Sequence, residues 1–521
     1  MTFILNILLF VVVLGVIVLI HELGHFYFAK KAKILCHEFS IGMGPAIYQK
    51  RKGETVYSIR SIPIGGFVSM AGEAVSDALI KKGDTVGLNL KNGLVEEIIL
   101  DENAAYEIIG EVVDYDLYGI DKSDLYIVLN TNGYINKYKV SREAKYIFKN
   151  KREMWITPHE KSFESKTLLE RFLVIFAGPL MNFILALVLY LIVGFFVLKP
   201  VMSSSEIKTV YDLYPAYNAN MEAGDIITKI NNYQINSWDD LSFALKNLNT
   251  IKLDIEYERN NVIYNDNANA VVLVQMAGLA NISSTGEIYS DKALVGQVFG
   301  RAKSEGIKEG DLIISFEVDN VVYPIIDWDD ILIFFRNHDS GEIKVNYSRD
   351  NKDNLQASYA LISKKALSKL GEEAVVLQMG VSPTDKFDLG YSLLYPFKMI
   401  KNTTSQVLNT LSLLFNKKEK IGVGDLSGPI GIFSLVSQTR KQGFLAIVSF
   451  TAFLSINIGL LNLLPIPALD GGRLVFLGVE FITRKPLPRK LENTINNIMF
   501  LLLMALFLFV TYNDIIRLIK G

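Results

Sequence analysis

The 521-residue sequence has a single cysteine, Cys36. An intramolecular disulfide and a cysteine-rich metal cluster are both excluded. Histidine is nearly as scarce, with only His21, His25, His37, His159 and His338. Neither sign of charge is in excess. Lys and Arg number 53 against 55 Asp and Glu, a net charge of −2, which removes the electrostatic case for a nucleic-acid partner. The opening run, "MTFILNILLFVVVLGVIVLI" (Met1 to Ile20), carries no charge at all. It lacks the basic n-region and the small-residue cleavage site of a signal peptide, so a retained transmembrane helix is expected there.

What the chain has in quantity is apolar residues, 50 % of the total. Mean hydropathy is +0.26 even though 21 % of residues are charged, so the apolar residues must lie in blocks. Four uncharged stretches are long enough to span a bilayer. They are 1–20, continuing helically to about Ala29; 172–198; 443–464; and 493–513. Lys30, Lys31 and Lys33 follow the first, and Arg473, Arg484, Lys485, Arg489 and Lys490 lie between the third and fourth. The positive-inside rule then places these flanks in the cytoplasm, with both termini and the segment Lys199–Gln442 outside.

The outer segment contains an internal repeat. Ala216, Asn220 and Gly224-Asp225 match Ala302, Gly306 and Gly310-Asp311, each 86 residues later. Both copies continue into an alternating apolar strand and a "WDD" helix start at Trp238 and Trp328, with Ser or Asp as the expected N-cap. The pattern resembles two tandem PDZ domains, modules that bind extended peptides by strand addition; two α/β modules without a ligand remain the alternative. Between Glu73 and Phe163, Asn92-Gly93 and Asn132-Gly133 are hairpin-turn dipeptides, which predicts a small β-rich cytoplasmic insertion. Residues 386–414 are expected to form an amphipathic helix on the outer surface.

The chemistry gathers at "LIHELGHFYF". An ionised Glu at membrane depth costs about 2.5–3.5 kcal/mol, so Glu22 calls for a task. His21 and His25 are i and i+4, on one helix face, and can hold one metal ion together, with Glu22 beside it. This is the H-E-x-x-H pattern of zinc metalloproteases. No third histidine is suitably placed. The remaining candidate is Asp470 in "NLLPIPALDGG", where Pro465 and Pro467 break the helix. Irregular backbone at membrane depth is tolerated only inside protein or along a cavity. Asp470 there is a helix N-cap or a metal ligand, and the incomplete His pair favours the ligand. Two His and one carboxylate with an open position suit catalytic zinc, although other divalent metals also occupy such sites.

Together with "FSIGMGPAIY", "IPIGGFVSMAGE", "RFLVIFAGPLMNF" and "LSGPIGIF", these motifs in order resemble the site-2 protease family of intramembrane zinc metalloproteases, in its bacterial regulator-of-sigma branch. The resemblance implies a polytopic α-helical membrane protein with four transmembrane helices, a membrane-associated β-hairpin and extracytoplasmic tandem PDZ-like α/β domains. Its parts would be the first span with the zinc motif (1–29), the hairpin region (30–73), the insertion (74–162) and the second span (172–198). Two PDZ-like domains (202–282 and 283–383), the amphipathic helix (386–415), the third span with LDGG (443–472) and the fourth span (493–513) would follow. It implies one zinc ion per chain on His21, His25 and Asp470, with Glu22 as general base. Asn462, Asn182, Gly65 and Gly66 would contact substrate. The location would be the bacterial inner membrane, and the substrates single-span membrane proteins: an anti-sigma factor first, remnant signal peptides second. The outer modules are similar to those of Gram-negative members and the insertion to the longer loop of Gram-positive ones. The rival from another class is a catalytically silent membrane scaffold acting through its PDZ pair.

Overall fold

A computed structural model describes residues 2–72, 79–101, 104–120, 123–149, 152–339, 341–350, 352–414, 416 and 428–520. The expected insertion and amphipathic helix thus include residues, 74–78 and 415 among them, that lie outside the described residues, as do 426 and 427 of "LSGPIGIF". Two compact units emerge, Met1–Tyr190 with Ser427–Gly521, and Leu191–Leu426.

In the first unit, helix α1 (Thr2–Lys31) runs without interruption through the HELGH motif. Helix α2 spans Leu168–Phe196. With Phe444–Asn462 and Lys490–Ile516, these are the four described helices long and apolar enough to cross a membrane. The third span, expected over 443–464 within the 443–472 region, is the helix Phe444–Asn462. It stops at Asn462, and a separate helix starts at Asp470. The prolines at 465 and 467 supply no backbone N–H to continue the ladder. Gly471 and Gly472 make the tight return possible, because a Cβ there would sit 2.5 Å from the carbonyl carbon of Leu463 and 2.6 Å from Cα of Pro467. The bend is held from the last helix, whose Asn496 side chain accepts from the backbone N–H of Ala468 at 3.1 Å.

After α1, strands β1 (Cys36–Lys52) and β2 (Thr55–Met70) form more than a simple hairpin. Both bend, so that Glu38 to Ile41 pair with Val56 to Ile59 on one side and with Gly66 to Ser69 on the other. The segment 66–70 is therefore an edge, with no partner strand on its outer side among the described residues. The insertion that follows is one six-stranded sheet, from β3 (Thr85–Lys91) through β4 (Leu94–Ile99), β5 (Ile108–Asp116), β6 (Tyr126–Thr131) and β7 (Tyr134–Phe148) to β8 (Arg152–Trp155). Asn92-Gly93 and Asn132-Gly133 close its β3–β4 and β6–β7 hairpins with positive φ at both residues, as the right-handed strand twist favours.

The second unit carries the repeat as two four-stranded antiparallel sheets of equivalent order. In each, a ten-residue helix, Trp238–Asn247 or Trp328–Asn337, is N-capped by the side chain of Ser237 or Asp327. The paired aspartates explain the matching "GD" motifs. Asp225 and Asp311 have side chains only 1 % and 0 % exposed, and each forms an ion pair, with Arg259 at 2.7 Å and with Arg349 at 2.6 Å. The expected boundary at 282/283 does not separate two closed modules. Ile207–Val210 pairs with Val381–Pro383, and Val271–Val274 pairs with Val375–Gln378. The chain after the second copy returns to complete sheets begun by the first, so the repeats are interleaved. Strand pairing, not sequence order, settles which segments share a module.

Candidate metal centre

Three side chains from the two ends of the first unit converge. His21 Nε2, His25 Nε2 and Asp470 Oδ2 lie within 4.8 Å of one another. Asp470 Oδ2 is 3.1 Å from His21 Nε2 and 3.4 Å from His25 Nε2, and the two imidazole nitrogens are 3.2 Å apart. A tetrahedral site with bonds of about 2.0–2.1 Å has donor–donor edges of ~3.3 Å, so the triangle matches one face of a zinc tetrahedron. The donor chemistry fits as well. His25 Nδ1 lies 2.8 Å from the carbonyl oxygen of Val174, which can only accept. Nδ1 therefore carries the proton and the Nε2 lone pair points into the triangle.

His21 is set by Asn182. The Asn182 amide lies 3.3 Å from His21 Nδ1, and its own Oδ1 is buried with no hydrogen-bond partner. The amide nitrogen is the atom facing His21 Nδ1; turned so that Oδ1 accepts from Nδ1–H instead, the same amide would leave the His21 Nε2 lone pair free for a metal. Asn182, expected to contact substrate, faces His21 and does not line the cavity. Asn182 is 0 % exposed and stands behind His21. Ser455 steadies it from the third span by donating to the Asn182 carbonyl at 2.8 Å.

The other expected residues share one cavity of about 430 Å³. His21, Glu22, His25, Gly65, Gly66, Asn462 and Asp470 all line it. The edge segment thus faces the metal triangle across the space where Glu22 stands. Gly66 is close enough that a Cβ there would come within 3.1 Å of Glu22 Cγ.

Sequence reasoning missed the parts that hold the three donors in place. A Cβ at Gly178 would press on His25 Nε2 and stand 2.9 Å from His21 Cε1, so only glycine leaves room for both rings. Arg171 in the first turn of α2 grips Glu480 through two hydrogen bonds, 2.5 and 3.0 Å, fixing the helix that begins with Asp470. Val174 acts through its backbone, and no side-chain pattern could mark it. The "FAGPLMN" motif is the sequence signal that could have marked Gly178.

Residues 9–506 match the sequence profile of peptidase family M50. The chain belongs to this family. Among similar curated proteins, the zinc metalloprotease RasP of Shouchella clausii is 31 % identical, covering 98 % of this chain and 99 % of its own length. The regulator of sigma-W protease RasP of Bacillus subtilis is also 31 % identical, over 99 % of both chains. A third, the zinc metalloprotease RasP of Bacillus licheniformis, has the same identity over 98 % of this chain and 99 % of its own. As an M50 peptidase the chain is a zinc metalloendopeptidase of the site-2 type, and its apolar helices make it a membrane protein.

Proposed function

We propose that this M50 peptidase cleaves the transmembrane segments of single-span proteins, with His21, His25 and Asp470 holding one zinc ion and Glu22 as general base. The observation that carries the reading is the three-donor triangle in a cavity shared with Glu22, Asn462 and a free strand edge. Bound at these donors, zinc supplies Lewis acidity and lowers the pKa of water at its open position. Glu22 takes the proton of the attacking water and returns it to the leaving amine.

A transmembrane helix hides its peptide bonds in its own hydrogen bonds, so it must be unwound before it is cut. Segment 66–70, entered through Gly65 and Gly66, adds the unwound strand to its unpaired edge. The Asn462 side-chain amide hydrogen-bonds the strand's backbone. Asn182 serves the metal ligand His21. The basic flanks support a cytoplasmic HELGH end with both termini and the interleaved PDZ-like modules outside. There the modules restrict entry to substrates already stripped of bulky outer domains. The sigma-W name of the Bacillus subtilis relative favours an anti-sigma factor as substrate, with remnant signal peptides second.

The test is cleavage of a purified single-span substrate by wild type and Glu22→Gln, with zinc measured on both. Cutting within the apolar segment by wild type alone, with one zinc on each protein, supports the assignment. If both hold zinc and neither cuts any of several truncated single-span substrates, the scaffold role through the outer modules replaces it.

A further inference from the structure

A second cavity of about 740 Å³ lies between β1 and β8, and the chemistry above does not use it. His37, Arg51, Lys149, Arg152 and Trp155 stand in its polar wall beside the carboxylates of Glu38, Glu54 and Glu153. Three buried atoms there have no hydrogen-bond partner: His37 Nδ1, Arg51 Nη1 and Trp155 Nε1. The arginine and indole nitrogens can only donate. A buried polar atom left unmatched is costly, so three on the residues around one space are more than packing requires.

The charges point the same way. Each carboxylate of the lining already has a cation. Glu38 is 2.6 Å from Arg60, Glu54 is 2.6 Å from Lys30, and Glu153 is 3.0 Å from Lys145. Among the described residues no carboxylate pairs with Arg51, Lys149 or Arg152. Arg51 uses Nη2 on the backbone carbonyl of Glu153, which aims the guanidinium and leaves Nη1 over. Phe148 and Met154 supply an apolar wall. From this cavity β1 runs on to the exposed apolar side chains of Ile47 and Tyr48.

We propose that this cavity binds a phosphate ester with an apolar body, its anionic oxygens accepting from Arg51 and Trp155 and countering Lys149 and Arg152. The phosphate comes from a phospholipid headgroup or from a soluble phosphate compound. The site is separate from the peptidase cavity, and the proposal stands independently of that reading.

The experiment titrates the full-length protein, purified in neutral detergent, with four probes. These are dihexanoyl phosphatidylglycerol, dihexanoyl phosphatidylcholine, inorganic phosphate and pyrophosphate, with binding read by calorimetry. Arg51→Gln/Arg152→Gln is expected to weaken binding about tenfold or more, as loss of charge-assisted hydrogen bonds does. Arg152→Gln alone, at an exposed position, keeps the test valid if the double variant does not fold, and Trp155→Phe removes one orphan donor while keeping the ring. Both are expected to weaken binding several-fold, and Lys139→Gln, at an exposed pair with Asp124, is expected to leave it unchanged. Binding of the glycerol lipid without competition from phosphate or pyrophosphate assigns a lipid headgroup. Binding of either inorganic probe with the same variant dependence assigns a soluble phosphate. If no probe binds wild type, or if Arg152→Gln and Trp155→Phe bind as wild type does, the proposal is overturned.

Discussion

Gly178→Ala tests whether the zinc site is shaped by the helix facing it. A Cβ at 178 would stand 2.5 Å from His25 Cε1 and 2.9 Å from His21 Cε1. Carbon atoms at rest are about 3.5–4.0 Å apart, so the His25 ring must retreat by ~1 Å. Metal sites hold their ligands to within about 0.2 Å, and the retreat would also stretch the bond from His25 Nδ1 to Val174, now 2.8 Å. Loss of an outer partner alone costs about 10–100-fold in metal affinity, so a shift of the ligand itself is expected to cost at least about 100-fold. The assay is zinc content at fixed free zinc, set by a buffered chelator, with thermal unfolding followed in parallel. Gly15→Ala, on the same kind of apolar helix but with nothing within 4 Å of the new methyl, is expected to retain zinc fully. If Gly178→Ala holds zinc with wild-type affinity, the reasoning that this glycine makes room for the ligands is wrong.

Asn182→Ala removes the partner of His21 Nδ1 and is expected to weaken zinc binding by about 10–100-fold, read in the same chelator assay; a variant with unaltered zinc affinity but a raised KM would return Asn182 to the substrate. Arg349→Met leaves the fully buried Asp311 carboxylate unpaired and is expected to cost about 3–5 kcal/mol, measured as earlier thermal unfolding and faster proteolysis of the 199–414 region. Burial holds the His37 imidazole down at about 4, against 6.5 when free. The unfolded chain therefore binds the extra proton between these values. Stability from this group is full above pH 6.5 and declines as pH falls toward 4, by about 3 kcal/mol in all. Thermal unfolding of wild type and His37→Gln across that window is the check, and equal pH slopes for the two would refute it.

Much of the local structure was legible because it is written in short-range chemistry. The uninterrupted helix through "HELGH" follows from a run with no breaker, and that helix alone stacks His21 over His25. Asn92-Gly93 and Asn132-Gly133 could be read as turns because few other pairs accept positive φ twice. Ser237 and Asp327 were legible as caps from the helices they precede. The repeated aspartates were visible as a pattern. Their purpose was not, since Arg259 and Arg349 reach them from strands that the repeat motif does not include. The interleaving of the two copies was invisible for a related reason. Pairing of Ile207–Val210 with Val381–Pro383 joins segments whose own compositions say nothing of each other.

The metal centre divides along the same line. By itself the sequence determined the spans, the two histidines on one helix face, the carboxylate beside them and the break that exposes Asp470, because each depends on residues within a turn or two. Only the tertiary structure decided that Asp470 completes the triangle, that Asn182 turns toward His21 and that Gly178 must have no side chain. A coordination face about 3 Å on an edge requires donors from separate helices to meet, and helix packing sets that meeting.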